Sequence, residues 1–301
     1  MAESGPCARA ARTASLHAMK RQFLMSLGDG RVLRLGERTL IVGVLNVTPD
    51  SFSDGGQNFD PVTAVERALE MENEGADIVE VGGESTRPGS HGLSTDDEIA
   101  RVKPVIVELG KRLRVPIAID TYKSAVARVA LDLGASLLND VSALRFDAAL
   151  ANEAARARAL LVLMHMRGDP STMQKIEPSP DIFGEIKSAF ATAIGEAESR
   201  GVRREQIILD PGVGFGKTLE QNLAIINHLD RFEDFEMPLM IGTSRKSFIG
   251  RLTERPEGDR VFGTAASVAA AIIRGAHIVR VHDVKGMVEV VRITDAILAA
   301  E

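Results

Sequence analysis

The chain has 301 residues, 45% of them hydrophobic and 26% charged, with a formal net charge of -6. That composition suits a globular protein, and the acidic balance argues against a nucleic-acid-binding surface. No stretch reads as a signal-peptide core or a membrane-length apolar run, and the single cysteine, Cys7, excludes an intrachain disulfide and a zinc–thiolate site, so a reducing, cytoplasmic setting is expected.

Residues 1–30 read as an N-terminal extension without a packed core, and residues 31–301 as one domain. Arg31–Glu37 suggests a short strand or turn before an apolar core strand at Thr39–Leu45. That strand opens into Asn46-Val47-Thr48-Pro49-Asp50-Ser51-Phe52-Ser53-Asp54-Gly55-Gly56, a loop rich in oxygen ligands. A loop so polar on a strand so apolar is suited to holding a ligand. Asp60-Pro61 then gives an N-cap and a proline at the first helical position, and the helix should stop at Gly75. Ala76–Val81 is a strand followed by the polar loop Gly82-Gly83-Glu84-Ser85-Thr86-Arg87-Pro88-Gly89. Thr95 and Glu98 fit a capping box, opening a helix that a proline at 104 could kink.

The alternation continues to the end of the chain. Strands are expected at Pro116–Ile119, Ser136–Leu138, Leu160–Met164, Gln206–Leu209, Pro238–Ile241 and Ile278–Val281. Helices are expected at Lys123–Leu133, Asp147–Arg158, Asp181–Arg200, Lys217–Leu229, Arg260–Arg274 and Gly286–Ala299. Gly75-Ala76-Asp77-Ile78-Val79-Glu80 recurs in form at Gly134–Asn139 and Gly275–Arg280, each a glycine suited to ending a helix in the left-handed region before a buried strand with a polar end. Eight apolar strands alternating with helices imply a parallel sheet, and a closed (β/α)8 barrel is the economical arrangement. An open doubly wound sheet is the rival, but no dinucleotide fingerprint follows the first strand.

In such a barrel the carboxyl ends of the strands face one site. They deliver Asn46, Glu80 to Arg87, Asp120, Asn139, His165, Asp210, Ser244 to Lys246, Arg280 and His282. Singly, each has a plain explanation: Asp120 could cap the following helix, and His165 could be a satisfied interior histidine. Together they form a polar ring with little structural purpose. Arg87, Arg245, Lys246, Arg280 and His282 suit a phosphate or diphosphate. Asp120, Asn139 and Asp210 suit a heterocycle with several N–H donors, and Asn46 could sit near a magnesium ion bridging diphosphate oxygens. With no tryptophan and one tyrosine, ring recognition rests on Phe, Met or aliphatic side chains. Asp210-Pro211-Gly212-Val213-Gly214-Phe215-Gly216-Lys217-Thr218 lacks the spacing of a nucleotide-binding loop; its alternate glycines suggest a backbone brought close to a flat ligand. On the last strand, alternation sends Arg280 and His282 to the barrel mouth, while the apolar Ile278 and Val281 suit the helix-facing layer.

The two polar loops already quoted, with Ile119-Asp120-Thr121, Asn139-Asp140-Val141, Met164-His165-Met166, Leu209-Asp210-Pro211-Gly212, Phe215-Gly216-Lys217, Ser244-Arg245-Lys246-Ser247 and Arg280-Val281-His282-Asp283, resemble the dihydropteroate synthase family from about Leu35 to the C-terminus. The resemblance implies a (β/α)8 barrel, usually dimeric, that condenses (hydroxymethyl)dihydropterin diphosphate with p-aminobenzoate and uses magnesium. Carried over by position, it implies that Asp120, Asn139, Asp210 and Lys246 hold the pterin, with Met164 and Phe215 lining its pocket. It implies that Asn46, Arg87, Arg280 and His282 hold the diphosphate and its metal. Thr86, Pro88 and Ser244 would border the aminobenzoate, with Phe52 closing over it. Two alternatives stand beside it: a pterin-binding methyltransferase barrel, and an aldolase using Lys246 as a Schiff-base nucleophile.

Overall fold

The computed structural model describes residues 20–48, 60–85 and 92–300. The chain begins with an antiparallel hairpin, β1 (Phe23–Ser26) and β2 (Val32–Leu35). The division expected at residue 30 falls inside this hairpin. Then come β3 (Leu40–Asn46), α1 (Pro61–Glu74), β4 (Ile78–Gly82), α2 (Thr95–Arg112), β5 (Ile117–Asp120), α3 (Ser124–Asp132), β6 (Leu137–Asp140), α4 (Leu150–Ala157) and β7 (Leu160–Met164). The second half holds α5 (Ile182–Ser199), β8 (Ile207–Asp210), α6 (Leu219–Asn227), β9 (Met240–Ile241), α7 (Ser247–Thr253), α8 (Val261–Ile273), β10 (Ile278–Val281) and α9 (Val284–Ala299).

Strands β3 to β10 pair in parallel in the order β8-β7-β6-β5-β4-β3-β10-β9. A parallel bridge from Leu209 to Leu239, with Leu209 N donating to Pro238 O at 3.0 Å, joins the two ends and closes the barrel. The fold is therefore the (β/α)8 barrel that the strand count implied.

Local signals place most boundaries. Asp60 caps α1 by accepting from Val62 N and Thr63 N, with Pro61 at the first helical position. The three recurring glycines all take the left-handed conformation, with φ of 108° at Gly75, 106° at Gly134 and 101° at Gly275. One cap differs from expectation. Helix α2 is capped by Ser94, whose Oγ accepts from Asp97 N at 3.1 Å. Glu98 is thereby freed from the cap; it is buried and pairs with Lys123 Nζ at 2.6 Å. A short helix, α7, also occupies a stretch to which no element was assigned from sequence.

The strands alternate between two apolar environments. Ile41, Val79, Ile119, Leu138, Leu161, Leu209, Ile241 and Val281 join the cluster beneath the helices. Leu40, Val42, Ile78, Ala118, Leu137, Leu160, Ile208, Met240 and Ile278 fill the barrel, together with Met25, Leu27 and Leu35 from the hairpin segment. The hairpin thus plugs the barrel at the amino ends of its strands. His277 ties it down: its Nδ1 accepts from Leu239 N at 3.2 Å, so its Nε2 carries the proton given to Arg21 O at 3.1 Å. Burial holds that imidazole neutral, with its pKa pushed down to about 4. Ile278 belongs to the barrel interior, not to the helix-facing layer expected for it. Its parity matches Arg280, so both point inward.

Candidate active site

Two residues beyond the apolar filling, the inward positions change chemistry. Parity carries Ile78 to Glu80, Ala118 to Asp120, Leu137 to Asn139, Ile208 to Asp210 and Ile278 to Arg280. Each of these polar residues lies at or next to the carboxyl end of its strand, which is where sites form in this architecture. Inward glycines keep room above them. A Cβ on Gly82 would lie 3.6 Å from Asn46 Oδ1 and 3.7 Å from Asp120 Cβ, and one on Gly242 would lie 3.7 Å from Lys246 Nζ.

Arg280 is at the centre of the layer. Its Nε donates to Glu80 Oε1 at 2.6 Å, and its Nη2 donates to Asp120 Oδ2 at 2.8 Å and to Glu80 Oε1. The pairing of Arg280 with Glu80 is therefore present, and Asp120 shares it; Asp120 does not cap the following helix. Two carboxyl groups around one guanidinium leave an excess of negative charge. Burial, with Glu80 beside it, pushes the Asp120 pKa up to about 8. The Arg280 guanidinium would be lowered by burial, but the two acids hold it above its ordinary value. Asn139 Nδ2 donates to Glu80 Oε2 at 2.9 Å, which fixes the amide with Oδ1 as its free acceptor. That Oδ1 is buried and has no hydrogen-bond partner among the described residues.

Asp210 uses one oxygen to accept from Gly212 N at 2.7 Å. Burial raises its pKa, and the nearby Lys246 opposes that rise. Lys246 reaches in from the end of β9; its ammonium donates to Val213 O and lies 4.5 Å from the Phe215 ring centre. Burial pushes its pKa down to about 8. Met164, Met166, Met173 and Val141 form a separate buried apolar cluster, with Phe215 and Tyr122 packed on it. Met164 and Phe215 thus share one apolar wall beside the polar layer, as expected.

Several expectations change. The glycines after Asp210 do not simply leave space for a ligand. Gly212 has φ of 69°, and a Cβ there would lie 1.9 Å from His165 O. Lys217 is turned onto its own loop. Its Nζ donates to His165 O, Gly212 O and Phe215 O at 3.1, 2.8 and 3.1 Å, fastening the loop to itself. Arg245 is paired with Asp283, with Nε to Oδ2 at 3.0 Å, so its charge is not held ready for an anion. His282, at the barrel mouth, bonds through Nδ1 to Ser244 Oγ at 3.0 Å, so these two residues are brought together. His165 is interior, but it is not the satisfied histidine of the plain reading: its Nδ1 is buried without a hydrogen-bond partner among the described residues, and burial drives its pKa down to about 2. Asn46 ends β3 and is half-buried beside Gly82. Thr86, Arg87, Pro88 and Phe52 lie outside the described residues.

Sequence placed Glu80 in the polar ring, at the end of the first of the three recurring units, but gave it no role. Lys217 was not singled out, and its place beside the alternate glycines carries no signal of the three carbonyls that it meets.

A family model described as pterin binding enzyme matches residues 42–282. The dihydropteroate synthase of Synechocystis sp. is 44% identical over 263 residues, covering 87% of this chain and 91% of that protein. That of Escherichia coli K12 is 44% identical over 262 residues, covering 87% of this chain and 92% of that one. Among solved structures, the Yersinia pestis dihydropteroate synthase with a sulfonamide drug complex superposes with a TM-score of 0.87 at 39% identity, over 92% of this chain and all of that one. The Xanthomonas albilineans enzyme in complex with 7,8-dihydropteroate gives 0.82 at 35% identity, over the same shares of the two chains. With the family model matching most of its length and relatives 44% identical over 87% of it, the chain belongs to the dihydropteroate synthase family of pterin-binding enzymes.

Proposed function

We infer that this protein is a transferase of folate biosynthesis that condenses (hydroxymethyl)dihydropterin diphosphate with p-aminobenzoate, giving dihydropteroate and diphosphate. The observation that carries the reading is the buried, unpartnered Asn139 Oδ1 set among the carboxyl groups of Asp120 and Asp210. A buried acceptor without a donor is costly. A pterin edge, with its ring and exocyclic N–H groups, supplies such donors, and Met164 and Phe215 offer the flat ring an apolar wall.

Chemistry follows from charge. The arylamine is neutral at pH 7 and needs no strong base. The difficult event is cleavage of the bond between the methylene carbon and the diphosphate. With Asp120 holding a proton, Glu80 and Asp210 offset Arg280 and Lys246, so the layer is balanced and positive charge developing in the ring meets no net repulsion from it. Arg280 and His282 would meet the departing anion, the role that the family resemblance gives them, although Arg280 is also paired with Glu80 and Asp120. The reaction is a dissociative substitution in which water is kept from the cation.

Magnesium belongs to this reading. Among the described residues no group of three or more His, Cys, Asp or Glu could hold a metal. The neutral amide of Asn46 fits magnesium, which takes most of its ligands from phosphate and water. Bound there, the ion would supply charge neutralisation to the diphosphate. The protein would act as a cytoplasmic homodimer. Exposed apolar side chains, Phe262 (86% exposed) and Ile273 on α8 and Ile293 and Ile297 on the adjoining α9, support an interface. Among the described residues, no helix is long and apolar enough to cross a membrane.

The decisive test incubates purified protein with the pterin diphosphate, labelled p-aminobenzoate and magnesium. Dihydropteroate should form, and chelating the metal should stop it. Label remaining wholly in p-aminobenzoate would reject the reading.

A further inference from the structure

We propose that Glu80 is a positioning residue for the pterin subsite, fixing the Asn139 amide and the Arg280 guanidinium in the orientations that the ring requires without meeting the ring itself. The proposal rests on the pterin reading above.

Glu80 is 1% exposed. Both of its oxygens are already engaged: Oε1 by Arg280, at 2.6 Å from Nε, and Oε2 by Asn139 Nδ2 at 2.9 Å. A carboxylate so occupied has no oxygen to spare for a ligand. Its influence must pass through the two side chains that it holds.

Register shows how far it reaches. Glu80 pairs with Val44 on β3 and with Ala118 on β5, while Arg280 pairs with Val42 on β3. Asn139 is on β6 and Arg280 on β10, so each lies two strands away, roughly 10 Å across the sheet. The small inward Ala118 leaves the path toward β6 open. One side chain therefore links strands on opposite flanks of β4, and only an inward residue in this layer can do so.

The consequence for Asn139 is specific. An amide offers an acceptor and a donor of nearly equal shape, and its environment selects which one faces the ligand. Glu80 is acceptor-only as a carboxylate, so it takes the amide's N–H and leaves Oδ1 for the ring. Glutamine at 80 could present either group, and the selection would be lost. Arg280 would also lose its shared acid and fall back on Asp120 alone.

The test is a double-mutant cycle. Glu80→Gln should raise KM for the pterin diphosphate at least tenfold while KM for p-aminobenzoate stays within twofold. Calorimetry with 6-hydroxymethylpterin alone should show the same loss. Glu80→Asp, which keeps the charge, should recover most of it. In an Asn139→Ala background the further effect of Glu80→Gln on kcat/KM should shrink to under threefold, because only the share that passes through Arg280 is left. Equal factors in both backgrounds, or unchanged pterin affinity with only a lowered melting temperature, would overturn the proposal. If Glu80→Gln does not fold, Glu80→Ala, which also removes the carboxylate, is carried through the same cycle with the same criteria. A wild-type protein that binds no pterin would remove the underlying reading, and this proposal with it; a wild-type protein that binds pterin beside an unaffected Glu80 variant would remove this proposal alone.

Discussion

The inside of the barrel contains two regions made from the same strands. The lower one, with Val42, Ile78, Ala118, Leu137, Leu160, Ile208, Met240 and Ile278, is wholly apolar and is sealed by Met25 and Leu35 of the hairpin. The upper one begins two residues further along and holds Glu80, Asp120, Asn139, Asp210 and Arg280. Nothing in the backbone distinguishes the two layers; both are inward positions of parallel strands. The difference lies in one residue on each of β4, β5, β6, β8 and β10. On β7 the inward series Leu160, Val162, Met164 stays apolar to the end, and that end becomes the wall of the pocket. The lower layer supplies stability at its strand positions, and the upper layer spends some of it on charged groups placed where water is scarce.

The comparison is open to direct attack from either side. Asp210→Ala should cost about 2–5 kcal/mol of pterin binding, since it leaves Lys246 without its carboxylate, while changing folding stability little. Calorimetric titration beside urea melts will separate the two effects, and unchanged pterin affinity would end the assignment. Leu160→Ala, one layer below, should do the opposite. It empties a fully buried position and should cost about 3 kcal/mol of stability with pterin affinity retained. If pterin affinity fell in parallel, the two layers would be one mechanical unit.

Much of this division was legible before any coordinates. Strand count, helix caps such as Asp60 and the left-handed Gly75, Gly134 and Gly275 follow from local chemistry that a short window contains. So does the polar residue at each strand end. What was not legible depends on closure. Arg280 finds Glu80 and Asp120 only because β10, β3, β4 and β5 lie side by side, and no local pattern says which acid an arginine 160 or 200 residues away will choose. Arg245 was expected to meet an anion, but Asp283 is brought alongside it from the loop after β10. The placing of Ile278 was missed for another reason. Apolar was equated with helix-facing, whereas the lower barrel interior is apolar too. Strand parity, which alone ties Ile278 to Arg280, was the better guide. The hairpin escaped because four-residue strands such as Phe23–Ser26 are too short to show a period.

A smaller effect tests whether the upper layer is built at the expense of stability. Burial lowers the Lys246 pKa from 10.5 to about 8. Below pH 8 the lysine is protonated whether the chain is folded or not, so the folded state bears the full penalty of burying the charge. The penalty fades as pH rises from 8 and is gone above 10.5. Lys246→Met should therefore stabilise the unliganded protein by about 1–2 kcal/mol at pH 7, allowing for the partly exposed side chain, while abolishing pterin binding. The gain should disappear by about pH 10.5. Chemical denaturation at pH 7 and at pH 10.5 will show it; a methionine variant less stable than wild type at pH 7 would mean that the Lys246 contacts with Val213 and Phe215 outweigh its desolvation.

The most gradual effect concerns the proton on Asp120. Its folded pKa is raised from 3.8 to about 8, first by burial and then by the neighbouring Glu80, with Arg280 opposing. Between those values the folded chain holds a proton that the unfolded chain has released. Its contribution to stability must then fall as pH rises from about 4 to about 8, by at most about 1.4 kcal/mol per pH unit. Other buried groups titrate in the same range: His277, lowered to about 4, makes stability rise with pH over part of it. The informative quantity is therefore the difference in unfolding free energy between wild type and Asp120→Asn, which cancels those shared contributions. That difference should decline steadily with pH across the window and level off above pH 8. With the proton in place the layer is balanced, Glu80 and Asp210 against Arg280 and Lys246. A difference that stays flat from pH 4 to pH 8 would show that Arg280 keeps Asp120 ionised. The layer would then carry one uncompensated negative charge, and would attract a cationic ring more strongly than the balanced arrangement does.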